Sequence, residues 1–193
     1  MAFLRVVSPY DQGPALSGDG VYLRPPANTD HGSWAELRHL SRQFLSPWEP
    51  LWSHDDLSRG AFKRRIRRYH RDMRDDRAYP FFIFRDHDRQ IIGGVTISNI
   101  RRAVAQTCSI GYWIGEPYAH QGHMSAAVRT LIPFAFGQLD LHRIEAACLP
   151  HNQPSIGLLT KVGFTREGYA RRYLKINGEW QDHILFARLA DDR

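Results

Sequence analysis

The sequence predicts a single α/β domain, a central mixed sheet of seven strands with helices on both faces. Two observations predict it. The 193 residues, 42% hydrophobic and 24% charged, suit one domain with a full core. The hydrophobic period then changes along the chain in the order strand, two helices, three strands, helix, strand, helix, two strands, and helices spread through a sheet this way cover both its sides. No run approaches the roughly 20 apolar residues of a membrane helix. The opening M-A-F-L-R-V-V-S-P-Y has too short an apolar stretch for a secretory signal. A cytoplasmic location is therefore expected.

Residues 1–20 hold three glycines and two prolines with little periodicity, and read as a loose N-terminal arm before a domain at 21–193. V-Y-L-R (21–24) is a short strand stopped by Pro25 and Pro26. Asn28, Thr29 and Asp30 are cap candidates for a helix to about Leu40. The segment S-R-Q-F-L-S-P-W-E-P-L-W (41–52) carries two prolines and cannot be one long helix. Asp55 or Asp56 then opens a helix over 56–75, with Phe62, Ile66, Tyr69 and Met73 as its apolar stripe. Three strands follow at 79–85, 90–100 and 107–115, the first two joined through D-H-D.

After Gly115, the positions Met124, Val128, Leu131, Ile132, Ala135 and Leu139 share one helical face, and Pro133 inside that helix should bend it. A strand at 143–150, a short helix at 155–162 stopped by Gly163, and strands near 172–176 and 183–189 around the turn I-N-G-E complete the order.

The net charge of +6 is concentrated. Residues 59–74 carry Arg59, Lys63, Arg64, Arg65, Arg67, Arg68, Arg71 and Arg74 against one acid, Asp72. Such a patch either attracts nucleic acid, phosphates or an acidic protein, or is a solvated helix face. Cys108 and Cys148 lie in apolar or strand-like runs without C-x-x-C spacing and read as reduced core thiols; no metal cluster is evident. A helix N-terminus offers free N–H groups and a positive dipole end to an anion, and Gly122 lets the backbone approach one closely. One glycine before a helix is by itself a weak signal.

The segment H-N-Q-P-S-I-G-L-L-T-K-V-G-F (151–164) strengthens it. An Asn, a Ser three positions on, an apolar pair and x-K-x-G-F resemble the second acetyl-CoA motif of the GCN5-related N-acetyltransferase (GNAT) superfamily. G-Y-W-I-G-E-P-Y-A-H-Q-G-H-M resembles its first motif, in the expected order and spacing. The tail G-Y-A-R-R-Y-L-K-I-N-G-E-W-Q-D-H (168–183) and S-R-Q-F-L-S-P-W-E-P near the front resemble the ribosomal-protein-alanine acetyltransferases of the RimJ/RimL kind.

The resemblance implies a GNAT fold with a V-shaped splay between the fourth and fifth strands, 107–115 and 143–150. The pantetheine of acetyl-CoA would lie in that gap. Its pyrophosphate would rest on the amides of Ala119, His120, Gln121, Gly122, His123, Met124 and Ser125. Asn152 and Ser155 would contact the cofactor, and the backbone near Trp113 and Ile114 would polarise the thioester carbonyl.

Two departures stand out. His120 occupies a position where the family usually has Gly, which makes a positive φ there costly. The catalytic Glu of some members falls on Ala147 and their acidic Tyr on Leu159. Glu145, on the same strand face as Ala147, is then the leading base candidate and Glu116 the second. Ser155 is the acid candidate for the CoA thiolate, with capping of the 155–162 helix as its other role.

Asp182-His183 beside Trp180 lack a nucleophile in a sharp strand-to-helix turn and read as closing strand or acceptor-pocket wall. Trp48, Glu49 and Trp52 would form the opposite wall, with Glu49 able to hold an ammonium. The implied reaction is acetyl transfer to a primary amine, foremost a protein N-terminus. The alternatives are a small-molecule amine (polyamine, amino sugar or antibiotic) and a silent acetyl-CoA or RNA-associated binder. The basic helix would contact ribosomal protein or RNA, and the state would be monomer or homodimer.

Overall fold

Asp19 and Gly20, at positive φ (52° and 79°), turn the chain between β1 (Leu16–Gly18) and β2 (Val21–Arg24). Asp-Gly is a dipeptide that two-residue hairpins favour, because both central positions need φ > 0. The protein, analysed as a computed structural model, is described over residues 14–192. Most of the expected N-terminal arm thus lies outside the described residues. Its end does not: β1 pairs with β2, so the sheet has eight strands and not seven. A three-residue strand has too little alternation to register as a period.

The remaining strands are β3 (Tyr79–Arg85), β4 (Ile91–Arg101), β5 (Thr107–Ile114), β6 (Arg143–Cys148), β7 (Thr165–Ile176) and β8 (Glu179–Leu189). They order as β1-β2-β3-β4-β5-β6-β8-β7, antiparallel except for β5 beside β6. The last two strands run longer than expected. They are joined at Asn177-Gly178, again with both φ positive (45° and 87°). β7 is an edge strand with mostly exposed side chains, so its hydrogen bonding extends beyond its apolar pattern.

Helices cover both faces, and β3 shows why. Its run Y-P-F-F-I-F-R sends Phe81 and Ile83 to one core, and Phe82 and Phe84 to the other. The first core is closed by α4 (His123–Pro133) and α5 (Gln153–Lys161), the second by α1 (His31–Leu40) and α3 (Arg59–Arg74). A short α2 (Arg42–Leu45) follows α1.

Helix starts differ from the sequence reading in two places. Ser58, and not Asp55 or Asp56, caps α3 by accepting from the Ala61 N–H at 3.1 Å. Those aspartates pair with Arg64 and Arg65 at 2.7 and 2.8 Å instead. α5 begins at Gln153, with Asn152 Oδ1 accepting from Ser155 N at 3.2 Å, so Asn152 takes the capping role expected of Ser155. Pro133 ends α4, and the chain continues as a π-turn over Phe134–Gln138. Among the described residues, no helix is long and apolar enough to cross a membrane.

Candidate active site

β5 and β6 pair for only three residues: Thr107 with Arg143, Cys108 with Ile144 and Ser109 with Glu145. β5 continues along β4 to Ile114, and β6 continues along β8 to Cys148. Each strand is thus held by its outer neighbour while the two part from each other, as the sequence led one to expect. The wedge opens into a cleft of about 490 Å³. Gly93 and Gly94 of β4 support its β5 wall: a Cβ on Gly93 would lie 2.5 Å from the Trp113 carbonyl, and one on Gly94 2.5 Å from Trp113 Nε1. The Trp113 carbonyl therefore faces β4, and by strand alternation the Ile114 peptide faces the wedge.

At the mouth of the wedge the chain passes a 3-10 turn, Glu116–Tyr118, and enters α4. Ala119 N donates back to Glu116 O at 3.1 Å and is consumed. Among the described residues, no acceptor meets the backbone N–H groups of residues 120 to 125. His120 and Gly122 both stand at positive φ, 59° and 84°. His120 thus adopts the left-handed backbone that the sequence reading counted as costly; non-glycine residues there cost of order 1–3 kcal/mol. The result is a row of free amides at the positive end of an eleven-residue helix, the geometry that binds phosphate. His123 adds little charge to it, because partial burial and the nearby Arg85 and His87 push its pKa down.

Deeper in the cleft, Tyr112 Oη and Ser155 Oγ lie 2.8 Å apart. Burial pushes the Tyr112 phenol well up, with the Ser155 hydrogen bond partly opposing, so it stays protonated at neutral pH. Burial also raises the Cys148 thiol on the neighbouring wall, again with Ser155 opposing. Both cysteines are free and buried. Leu159 is fully buried in the core below.

The front wall comes from the segment after α1. Arg38, only 5% exposed, donates to both carboxylate oxygens of Glu49, each at 2.6 Å. Its guanidinium lies 4.1 Å from the Trp52 ring and 4.9 Å from the Trp113 ring. Trp52 Nε1 donates to the same carboxylate at 2.8 Å, and the Glu49 carbonyl accepts from Asn177 N in the β7–β8 turn. Glu49 is therefore neutralised within the protein and has no spare charge for an ammonium. Leu174, Ile176 and His183 close the far side.

The expected site residues thus divide. Trp113, Ile114, Ala119, His120, Gly122, His123, Met124, Ser125, Asn152 and Ser155 line the cleft together. Gln121 does not line it, and turns its side chain to Pro117 O. The two carboxylates named as bases are not in it. Glu145 lies where β5 and β6 are still zipped, tied to Arg143 at 3.0 Å and Arg101 at 3.4 Å. Glu116 is exposed at the surface. Sequence reasoning missed Arg38, an ordinary helix arginine, and Tyr112, one more aromatic in a strand. No local pattern marks either. The basic face of α3 stands apart, since no residue of α3 lines the cleft.

Comparison with known proteins bears on this arrangement. A family profile described as "Acetyltransferase (GNAT) domain" matches residues 21–165. The "Probable N-acetyltransferase YjcK" of Bacillus subtilis (strain 168) is 37% identical over 177 residues, 92% of this chain and 98% of that protein. The "[Ribosomal protein uS5]-alanine N-acetyltransferase" of Escherichia coli (strain K12) is 32% identical, covering 92% and 91%. The solved structure "Mycobacterium smegmatis RimJ in complex with CoA-disulfide" superposes with a TM-score of 0.85 at 32% identity, covering 92% of this chain and 86% of that one.

Proposed function

As the chain belongs to the GNAT acetyltransferase family, we propose that it transfers acetyl from acetyl-CoA to the N-terminal α-amine of a protein. The observation that carries this is the row of free amides at residues 120–125 beside a wedge between two parted strands. The residues present fit the cofactor. The amides and Gly122 would hold the pyrophosphate, the Ile114 peptide and Asn152 would hold the pantetheine arm, and the apolar wall of Ile110, Met124 and Leu158 suits its stem. Acetyl-CoA supplies the acetyl group as a thioester. Ser155, hydrogen-bonded to a phenol that stays protonated, delivers the proton to the leaving sulfur.

The acceptor wall supports a neutralised α-amine over a polyamine. Glu49 is the one carboxylate among the described residues of the cleft, and Arg38 already occupies it. A site built for a multiply charged amine would show unpaired acids. Similarity to the uS5-alanine enzyme supports an alanine N-terminus on a ribosomal protein, in the cytoplasm, as the acceptor. The exposed face of α3, with Arg59, Lys63, Arg67, Arg68 and Arg71, would dock the acidic surface of such an assembly.

The test is a screen of acceptors with acetyl-CoA, read by thiol release and by mass spectrometry of the product. Peptides beginning with Ala, Ser or Met, spermidine and an aminoglycoside form the panel. Acetylation at the α-amine of the Ala or Ser peptide is expected. A preference for spermidine or the aminoglycoside refutes the proposal.

A further inference from the structure

His183 is only 2% exposed, yet it lines the cleft. Its Nδ1 lies 2.9 Å from the Gln181 carbonyl oxygen. A carbonyl only accepts, so Nδ1 carries the hydrogen, and in the neutral ring Nε2 is left with a bare lone pair. Among the described residues no donor meets Nε2, and that atom is not one of the sealed, unpartnered polar atoms of the interior. It therefore opens on the cleft. Tyr173 packs edge-on to the ring, with centroids 5.8 Å apart, and fixes its plane. The neighbouring Ile184 pairs with Cys148, the last residue of β6, so His183 sits where β6 leaves the sheet and the wedge is open.

Resting on the transfer reading above, we propose that His183 is the general base that takes the proton from the acceptor amine. The carboxylates are otherwise committed: Glu145 and Glu116 lie outside the cleft, and Glu49 is paired. His120 and His123 belong to the amide loop at the cofactor end. A neutral imidazole with a free ring nitrogen facing the acceptor can serve as a general base.

The step balances. The amine nitrogen bonds the acetyl carbon and gives one proton to Nε2. The carbon–sulfur bond breaks, the thiolate takes a proton from Ser155, Tyr112 re-protonates Ser155, and the phenolate so formed recovers a proton from water. The imidazolium then releases its proton to water. Tyr173 of β7 packs on the ring, and the other titratable or charged side chains that line the same cleft are Glu49, Tyr112, Tyr118, His120, His123, Cys148 and Lys161.

The test is His183→Asn, whose amide can still donate to Gln181 O but offers nothing at the Nε2 position. The expected result is a kcat lower by about 10²- to 10³-fold, with unchanged acetyl-CoA affinity and melting temperature. The acidic limb of the wild-type kcat profile, measured at saturating acceptor, should vanish in the variant. A kcat within about threefold of wild type, or an acidic limb that persists, overturns the proposal. Should the variant not fold, wild type carries the test through peptides of differing amine pKa. A limb fixed at one pH supports an enzymic base; a limb that follows the acceptor pKa overturns it. A wild type that acetylates no amine sinks the transfer reading itself, whereas an unaffected His183→Asn sinks only the base.

Discussion

Arg38 gives the sharpest quantitative test of the front wall. It is 5% exposed and joined to Glu49 by two 2.6 Å hydrogen bonds, with its guanidinium between Trp52 and Trp113. Arg38→Met keeps the apolar stem and strands the carboxylate. Breaking a buried pair from one side costs about 3–5 kcal/mol. Glu49 remains 19% exposed and keeps the Trp52 indole, which sets the lower end, and loss of the ring contacts adds about 1 kcal/mol. A net cost of about 4 kcal/mol follows, or a melting point lower by roughly 10 °C for a chain of this size. Glu49→Gln alone leaves Arg38 charged and buried at a comparable cost. The double variant has no orphan charge and should lose less than the sum by at least about 2 kcal/mol. Urea melts of all four proteins measure the coupling. The Glu49 carbonyl also braces Asn177 of the β7–β8 turn, so the acceptor KM should rise in Arg38→Met while the acetyl-CoA KM holds. A coupling below about 0.5 kcal/mol refutes the claim that this pair is a desolvated unit.

Other consequences can be checked separately. Ser155→Ala should lower kcat about 10²-fold and Tyr112→Phe less, with acetyl-CoA binding kept in both, as read by stopped-flow thiol release and calorimetry. Gly122→Ala meets no neighbour within 4 Å, so its cost of about 1–2 kcal/mol is purely the left-handed backbone at φ 84°. Acetyl-CoA titration should show a weaker affinity in that variant, while His120→Gly, which relieves φ 59° but loosens the unfolded chain, should leave stability nearly unchanged. Burial, and secondarily Glu145, pushes the Cys108 thiol up to about 12. The unfolded thiol ionises near 8.5, so its contribution is intact below that pH and is lost as pH climbs toward 12. Melts at rising alkaline pH should show a slope that Cys108→Val flattens.

What could be read from the chain was what repeats locally. The alternation of Y-P-F-F-I-F-R, the stripe Phe62, Ile66, Tyr69, and the glycine before α4 each carry their structure within a few residues. The splay was legible only through motif resemblance, since nothing in 107–114 or 143–148 says where two strands stop pairing. Glu145, the leading base candidate from the sequence, lies outside the cleft for a physical reason. Strand alternation placed it on the same face as Ala147, but not on the open side of the wedge. Two residues earlier the strands are still joined, and Arg143 and Arg101 have claimed the carboxylate. His120 misled in the opposite sense: steric preference argued against a left-handed residue there, yet the loop imposes one.

The substitutions at Leu159 and Ala147 share one logic with the groups that replace them. Where the motif resemblance implies a phenol or a carboxylate in some family members, this chain has a core leucine and a small alanine. Tyr112 brings a phenol to Ser155 from the opposite wall, on a strand held along its whole length by β4. On the proposed reading, His183 brings the base from β8, held along its length by β6 and β7. Tyr112 and His183 then stand on paired strands, while Ser155, the group that meets the sulfur, stands on α5. A neutral imidazole as base also fits a wall whose one carboxylate among the described residues is cancelled. A cleft with no net negative charge does not hold an ammonium as an ammonium, so binding itself favours the deprotonated amine that the transfer requires. Restoring a charge, with Ala147→Glu, should tighten binding of cationic amines while slowing transfer to the Ala peptide. Faster transfer to that peptide would show that an unpaired carboxylate is a better base here than the imidazole.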